Sequence, residues 1–235
     1  MTLRNHFRRP TDRTRLRSVC MMWATRLTAR LNDGRLTERF IAEPNVLPSG
    51  GMETDADSPR DSFHPAPEFT IDATFPDELG VRIYDQTRGG ELVGAIELVS
   101  ESNKDTDESR EAFVGKCVGL LRCGIGLMIV DIVTKRHANL HGEMLDLLGE
   151  PAGGVGRSAS LYAASYRPRR LPGDPPREVI EVWLRELAVG QPLPTQPLGL
   201  KNGPVVPVEL DLTYEESCHV FRIPQPAEGG DDAAG

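Results

Sequence analysis

The chain has 235 residues, of which 39% are hydrophobic and 26% are charged, and its mean hydropathy is -0.34. This length can bury a substantial core, and this composition is typical of a globular protein and not of a fibrous one. The net charge of -8 argues against a protein that coats nucleic acid by bulk attraction, although residues 1–40 carry ten Arg against three acidic residues. No apolar run approaches the roughly 18 residues of a membrane-spanning helix, so we expect no membrane partner. The four cysteines form no CxxC pair and the N-terminus has no apolar signal region, which predicts a cytoplasmic location.

The N-terminal quarter predicts one helix and two strands. Residues 15–32 place their apolar side chains at steps of three and four, which indicates an amphipathic helix. Residues 39–47 predict a strand that ends before Pro48, and residues 52–57 predict a second, short and acidic strand. Residues 58–74, with three prolines, are interpreted as a loop or insertion.

The middle of the chain predicts a hairpin followed by a crossover. Residues 81–85 and 91–99 flank a Gly-Gly turn, and the second of these strands is apolar on both faces, which favours a central place in a sheet. Residues 100–107 are polar, and Asp107 or Ser109 can cap a helix that runs to about Arg122. Residues 125–133 return as a buried strand, so a right-handed parallel crossover is expected.

The remaining elements are shorter. We expect a helix at residues 140–148, strands at 160–167 and 179–184, an extended Pro-interrupted stretch at 190–207 and a helix at 214–220. This organisation predicts a core with an N-terminal helix and hairpin insertion (residues 1–150), a C-terminal extension packed on the core (151–223) and a disordered tail (224–235).

Glu97 stands out, because a charge in a doubly buried strand is costly unless it is paired or binds a metal. Phosphodiester hydrolysis with a divalent ion needs two or three carboxylates and a nearby cation. Asp55 and Glu43 could join Glu97 from neighbouring strands, and Lys116 could lean from the following helix toward the end of the Glu97 strand.

Four segments resemble the "IELxSPxNK, then K, then hydrophobic-D" core of an uncharacterised bacterial domain family akin to the Uma-type putative endonucleases of the PD-(D/E)xK superfamily. They are Ile96 to Ser100, Ser102 to Lys104, Ala112 to Cys117 and Ile129 to Asp131. The first strand, the "PD" strand and the C-terminal extension of that family are also similar to this chain. The resemblance therefore covers most of residues 1–220.

The resemblance implies a restriction-endonuclease-like α/β fold with an α-β-β-β-α-β mixed-sheet core, flanking helices and a C-terminal β-rich extension. Asp55 and Glu97 would bind Mg²⁺ or Mn²⁺, with Glu43 as an accessory ligand and DNA or RNA as the substrate. The usual strand lysine is replaced by Val99, and Uma-type members are similar to this chain in carrying a lysine on the next helix, here Lys116. The implied activity is that of a metal-dependent nuclease.

Several alternatives stay open. Pro76-Asp77 also matches a "PD" pair, so Asp77 competes with Asp55, and Lys104 could replace Lys116. Glu97 could instead be a structural acid paired with Arg110 or Lys116, in a catalytically inactive module that serves as a scaffold for nucleic acid or protein. His137 and His141, four residues apart, could bind zinc, but they lack the glutamate of an HExxH pair.

Overall fold

The computed structural model describes residues 2–6, 12–47, 68–150 and 155–224. These residues form a mixed six-stranded sheet, a separate two-stranded sheet and four helices, which confirms the predicted α/β class. None of the described helices is long and apolar enough to cross a membrane. In chain order the elements are α1 (Asp12–Asn32), β1 (Phe40–Leu47), β2 (Glu78–Asp85), β3 (Glu91–Leu98), α2 (Asp107–Arg122), β4 (Gly126–Asp131), α3 (Leu140–Leu147), β5 (Tyr162–Leu171), β6 (Arg177–Glu186), β7 (Thr195–Gly199), β8 (Val205–Glu209) and α4 (Leu210–Val220).

The strand order of the large sheet follows the chain from β1 to β6. The predicted hairpin is confirmed, since β2 and β3 pair antiparallel, and the predicted crossover is confirmed, since β3 and β4 pair in parallel. Both β3 and β4 are buried along almost their whole length because their residues are apolar on both faces. Helix α2 begins after Thr106, whose hydroxyl accepts a hydrogen bond from the Ser109 amide, so the cap lies one residue before the predicted Asp107.

One strand of the hairpin is longer than the sequence predicted. The strand that pairs with β3 begins at Glu78, three residues earlier than expected. The predicted strand at residues 52–57 lies outside the described residues.

Helix α1 buries the predicted apolar stripe, whose members are Leu16, Val19, Cys20, Trp23, Leu27 and Leu31. This stripe packs against β1, β2 and α4. The indole of Trp23 donates a hydrogen bond of 2.9 Å to the Thr213 hydroxyl, so the first and last helices share one polar contact inside the apolar layer.

The C-terminal residues contribute to the same sheet as the rest of the chain, because β5 and β6 pair antiparallel after β4. The stretch expected to be merely extended contains the β7–β8 hairpin. This hairpin is fastened to the sheet by Gln196, whose amide donates hydrogen bonds to the carbonyl oxygens of Ala163 and Trp183. Within the described residues, one hydrophobic cluster joins side chains from Leu3 to Cys218.

Candidate functional site

Glu97 lies in the middle of the large sheet and is fully buried. Its neighbours across the strands are Gly80 in β2 and Ile129 in β4. The β2 backbone passes very close at this point, since a Cβ placed on Gly80 would lie 1.8 Å from the Ile96 carbonyl oxygen. Only glycine fits there.

Two cations compensate the Glu97 carboxylate. The Nζ of Lys116, which reaches down from α2, donates a hydrogen bond of 2.9 Å to Oε2. The Nη2 of Arg82, from β2, lies 2.8 Å from Oε1, but this contact lacks hydrogen-bond geometry and Oε1 accepts no hydrogen bond. Lys116 therefore takes the position that the sequence predicted, whereas Arg110 pairs with Glu143 and Asp107 instead.

Glu78 extends this cluster toward the surface. Side chains alternate along β2, so Glu78 and Arg82 share the face of Gly80 and Glu97. The same Nη2 of Arg82 lies 3.2 Å from Glu78 Oε2, and Asn45 donates a hydrogen bond of 2.6 Å to that oxygen. Burial alone would raise the pKa of Glu78, but the Asn45 hydrogen bond and the charges of Lys116 and Arg82 lower this pKa below its ordinary value. We call Glu78, Arg82, Glu97 and Lys116 the α2-face cluster.

The thiol of Cys117, one residue beyond Lys116, adds no nucleophile. Burial raises its pKa, and the negative charge of Glu97 raises that pKa further. The thiol is therefore protonated at neutral pH.

Asp77 sits on the opposite face of the sheet from Glu97. It lies three residues before Gly80, and its carboxylate is 3.2 Å from Arg17 of helix α1. It also accepts a hydrogen bond from the Ser102 hydroxyl, and its backbone oxygen accepts one of 3.2 Å from the Asn103 amide. In this structure Asp77 therefore anchors the loop after β3.

Lys104 forms a buried ion pair in the core. Its Nζ lies 2.8 Å from Asp131 Oδ2, and neither side chain is exposed. Asp131 also accepts a hydrogen bond of 3.1 Å from the Val133 amide, so it holds the start of the loop after β4. Burial raises the pKa of Asp131 to about 6, although the adjacent ammonium of Lys104 acts to lower it.

Among the other predicted ligands, the structure describes Glu43 and His141 but not Asp55. Glu43 is exposed on β1, opposite Arg82 in the strand register. Asp55 lies outside the described residues. His141 is buried and its ring contacts the Tyr166 hydroxyl and the Val155 carbonyl oxygen, which leaves it engaged within the fold. In the described part of the chain, no three His, Cys, Asp or Glu side chains are grouped closely enough to hold a metal ion by themselves.

Sequence reasoning missed Glu78 and Arg82. The signal that could have found them is the alternation of Leu79, Val81 and Ile83, which extends β2 back to residue 78 and places Glu78, Gly80 and Arg82 together on the other face. Comparison with family models, with curated proteins and with solved structures found no match for this chain.

Proposed function

We propose that the protein is a metal-dependent phosphodiesterase with a PD-(D/E)xK-like core that cleaves DNA or RNA. The observation that carries the proposal is the α2-face cluster, in which buried Glu97 shares one sheet face with Glu78 and lies 2.9 Å from the ammonium of Lys116. The element order α1, β1, β2, β3, α2, β4 supports it, because this is the order that the family resemblance implies.

In this proposal, Glu78 and Glu97 of the α2-face cluster would hold a single divalent cation. Oε1 of Glu97 is buried and accepts no hydrogen bond, so it retains lone pairs for a cation. Mg²⁺ is commonly bound by one or two carboxylates, with water and substrate phosphate completing its shell. Arg82 now contacts both acids, so an entering ion requires this side chain to withdraw.

The side chains of the α2-face cluster would then have different roles in phosphodiester cleavage. A bound Mg²⁺ or Mn²⁺ would polarise the substrate phosphate and activate a water molecule. Lys116, which is partly exposed, donates hydrogen bonds to the phosphate oxygens as negative charge develops on them. Glu97 fixes the ammonium of Lys116 in place, and Arg82, once withdrawn, offers a planar pair of donors to the same phosphate.

A cleavage assay with a matched control tests the proposal. The purified protein is incubated with single- and double-stranded DNA and RNA in Mg²⁺ or Mn²⁺, beside Glu97→Gln and Glu91→Gln. Glu91 is the same residue type in the same strand, but it pairs with Lys201 and lies outside the α2-face cluster. We expect Glu97→Gln to lose activity by about a hundredfold or more and Glu91→Gln to retain it. No cleavage of any substrate, or equal cleavage by Glu97→Gln, would contradict the proposal.

A second candidate is a non-catalytic module of the same fold that binds nucleic acid or protein. The specific observation in its favour is that Arg82 and Lys116 already neutralise Glu97, while apolar Val99 is buried where the usual strand lysine would stand. This candidate predicts no heat of Mn²⁺ binding by calorimetry and no change of melting temperature with chelator. A melting temperature that rises with Mn²⁺ in the wild type but not in Glu97→Gln would favour the enzyme.

A further inference from the structure

Residues 69–75 carry the pattern of a strand but form none. Phe69, Ile71, Ala73 and Phe75 alternate with Thr70, Asp72 and Thr74, which is the period of an amphipathic strand. In the structure the whole stretch 68–75 is exposed and lies outside every helix and strand. Phe69 and Ile71 are each 77% exposed, and Phe75 is 58% exposed. Such a run of exposed large apolar side chains marks an interaction site.

Strand β6 is an edge strand of the large sheet, with main-chain groups to which a further strand can pair. It is ten residues long, ends the sheet on one side and pairs only with β5 among the described strands. Val182 lies opposite Tyr166, whose hydroxyl contacts His141 of α3, so Ile180, Val182 and Leu184 face the α3 side. This face borders a groove of about 1170 Å³, and Val182 is 44% exposed. An exposed edge strand with an apolar face is a template for a further strand.

The β6 face that points away from the groove complements residues 68–75 in charge, whereas Glu178 and Glu186 of β6 lie on the groove side. The other face of β6 carries Arg177 and Arg185, neither of which has an ion-pair partner among the described residues, while Glu181 between them lies 3.5 Å from Arg169. Glu68 and Asp72, also unpaired in the described part of the chain, lie on the polar side of the 68–75 stretch. If Phe69, Ile71 and Phe75 face the groove, these acids fall on the face of Arg177 and Arg185.

The two surfaces of one chain cannot meet each other. Only Pro76 and Asp77 separate residues 68–75 from the start of β2, and two residues span about 7 Å. A strand added beyond β6 would lie five strand spacings from β2, about 24 Å away. Asp77 itself is buried and held by Ser102 and Arg17. If residues 68–75 pair with the β6 edge, they therefore do so on a second copy.

We propose that residues 68–75 of one copy add to the β6 edge of another copy as a seventh strand. Main-chain hydrogen bonds would supply the pairing, the apolar residues would cover Ile180, Val182 and Leu184, and the arginines would select an acidic strand. Because the two surfaces differ, the contact is head-to-tail, and each copy offers one donor strand and one acceptor edge. The wild-type protein therefore forms rings or short chains.

Sedimentation velocity over a range of protein concentrations tests this contact. The variants are Ile71→Glu in the donor and Val182→Glu in the acceptor, with Val205→Glu as a matched control, since Val205 is also a strand valine and is 41% exposed. All three sites are exposed, so folding is retained, and circular dichroism verifies this. We expect wild type and Val205→Glu to associate as concentration rises, and each of the other two variants to remain monomeric alone.

Mixing the two defective variants is the decisive step. Val182→Glu retains an unaltered donor strand, and Ile71→Glu retains an unaltered acceptor edge. The donor of the first variant should therefore bind the acceptor of the second, which gives a 1:1 complex that grows no further. Phe69→Glu should behave as Ile71→Glu does in the same mixture. The proposal is overturned if the wild type stays monomeric, if either variant associates alone as the wild type does, or if the mixture remains monomeric.

Discussion

Glu97 contacts two cations at once, and the removal of either leaves a buried charge with less compensation. Arg82→Met removes the guanidinium while it keeps an apolar stem. We expect this change to lower the free energy of unfolding by about 3 kcal/mol, and we expect Arg82→Met combined with Glu97→Gln to cost less than the two single changes together. Urea unfolding of the four proteins measures the coupling. Strictly additive costs would show that the two side chains do not share an ion pair.

The raised pKa of Asp131 makes the stability of the protein fall as the pH rises. Its pKa is raised to about 6 in the folded chain, whereas an aspartate in an unfolded chain titrates near 3.9. Between these values the folded state binds more protons, so the contribution of Asp131 to stability is complete below about pH 4 and falls by about 3 kcal/mol as the pH rises to about 6. The amide introduced by Asp131→Asn does not titrate. The difference in unfolding free energy between the wild type and Asp131→Asn should therefore shrink across this range, and a constant difference would refute the assignment.

At the scale of elements, the β2–β3 contact and helix α2 respond oppositely to one extra methyl group. Gly80→Ala places a Cβ against the Ile96 carbonyl oxygen, so we expect a loss of about 2 to 3 kcal/mol or more as the strands separate. Gly119 lies inside α2 with nothing within 4 Å of an added Cβ, so Gly119→Ala should stabilise the protein by about 0.5 to 1 kcal/mol. Thermal unfolding of both variants gives the two signs, and equal signs would contradict this account.

The elements that sequence predicted well are those whose local pattern and burial agree. The β3, α2 and β4 unit was predictable because the two apolar strands and the polar turn before α2 all favour the same crossover. The β7–β8 hairpin was hidden by Pro197 and Pro207, which normally argue against strands. In a two-stranded sheet both strands are edges, so each proline can direct its missing donor outward. That tolerance depends on the tertiary arrangement and leaves no local pattern.

The candidate site was predictable only in part for a similar reason. The Lys116 approach to Glu97 follows from helix spacing above a strand, which is local geometry. Glu78 and Arg82 join the cluster through the register of β2 against β3, which no single stretch of sequence fixes. Asp77 was a reasonable alternative ligand by motif, but side-chain alternation places it on the α1 face.

At the scale of the whole molecule, the exposed stretch 68–75 should report on self-association. Amide hydrogens in this stretch have no strand partner in one copy, so they should exchange rapidly in dilute protein. When a second copy accepts the stretch at β6, protection should rise with protein concentration in both 68–75 and 177–186. Exchange in β3, buried in the centre of the sheet, serves as the internal reference. Protection that is independent of concentration would count against the donor-strand contact.

The agreement between strand order and chain order has a consequence for synthesis. In the large sheet, each strand that leaves the ribosome can pair with the strand made just before it. The most recently made strand is therefore the edge to which the next strand adds. Helix α1 differs in part, because its apolar stripe packs not only on β1 and β2 but also on α4, which follows β8 in the chain. The nascent protein can thus complete its large sheet while the part of the α1 stripe that contacts α4 is still uncovered.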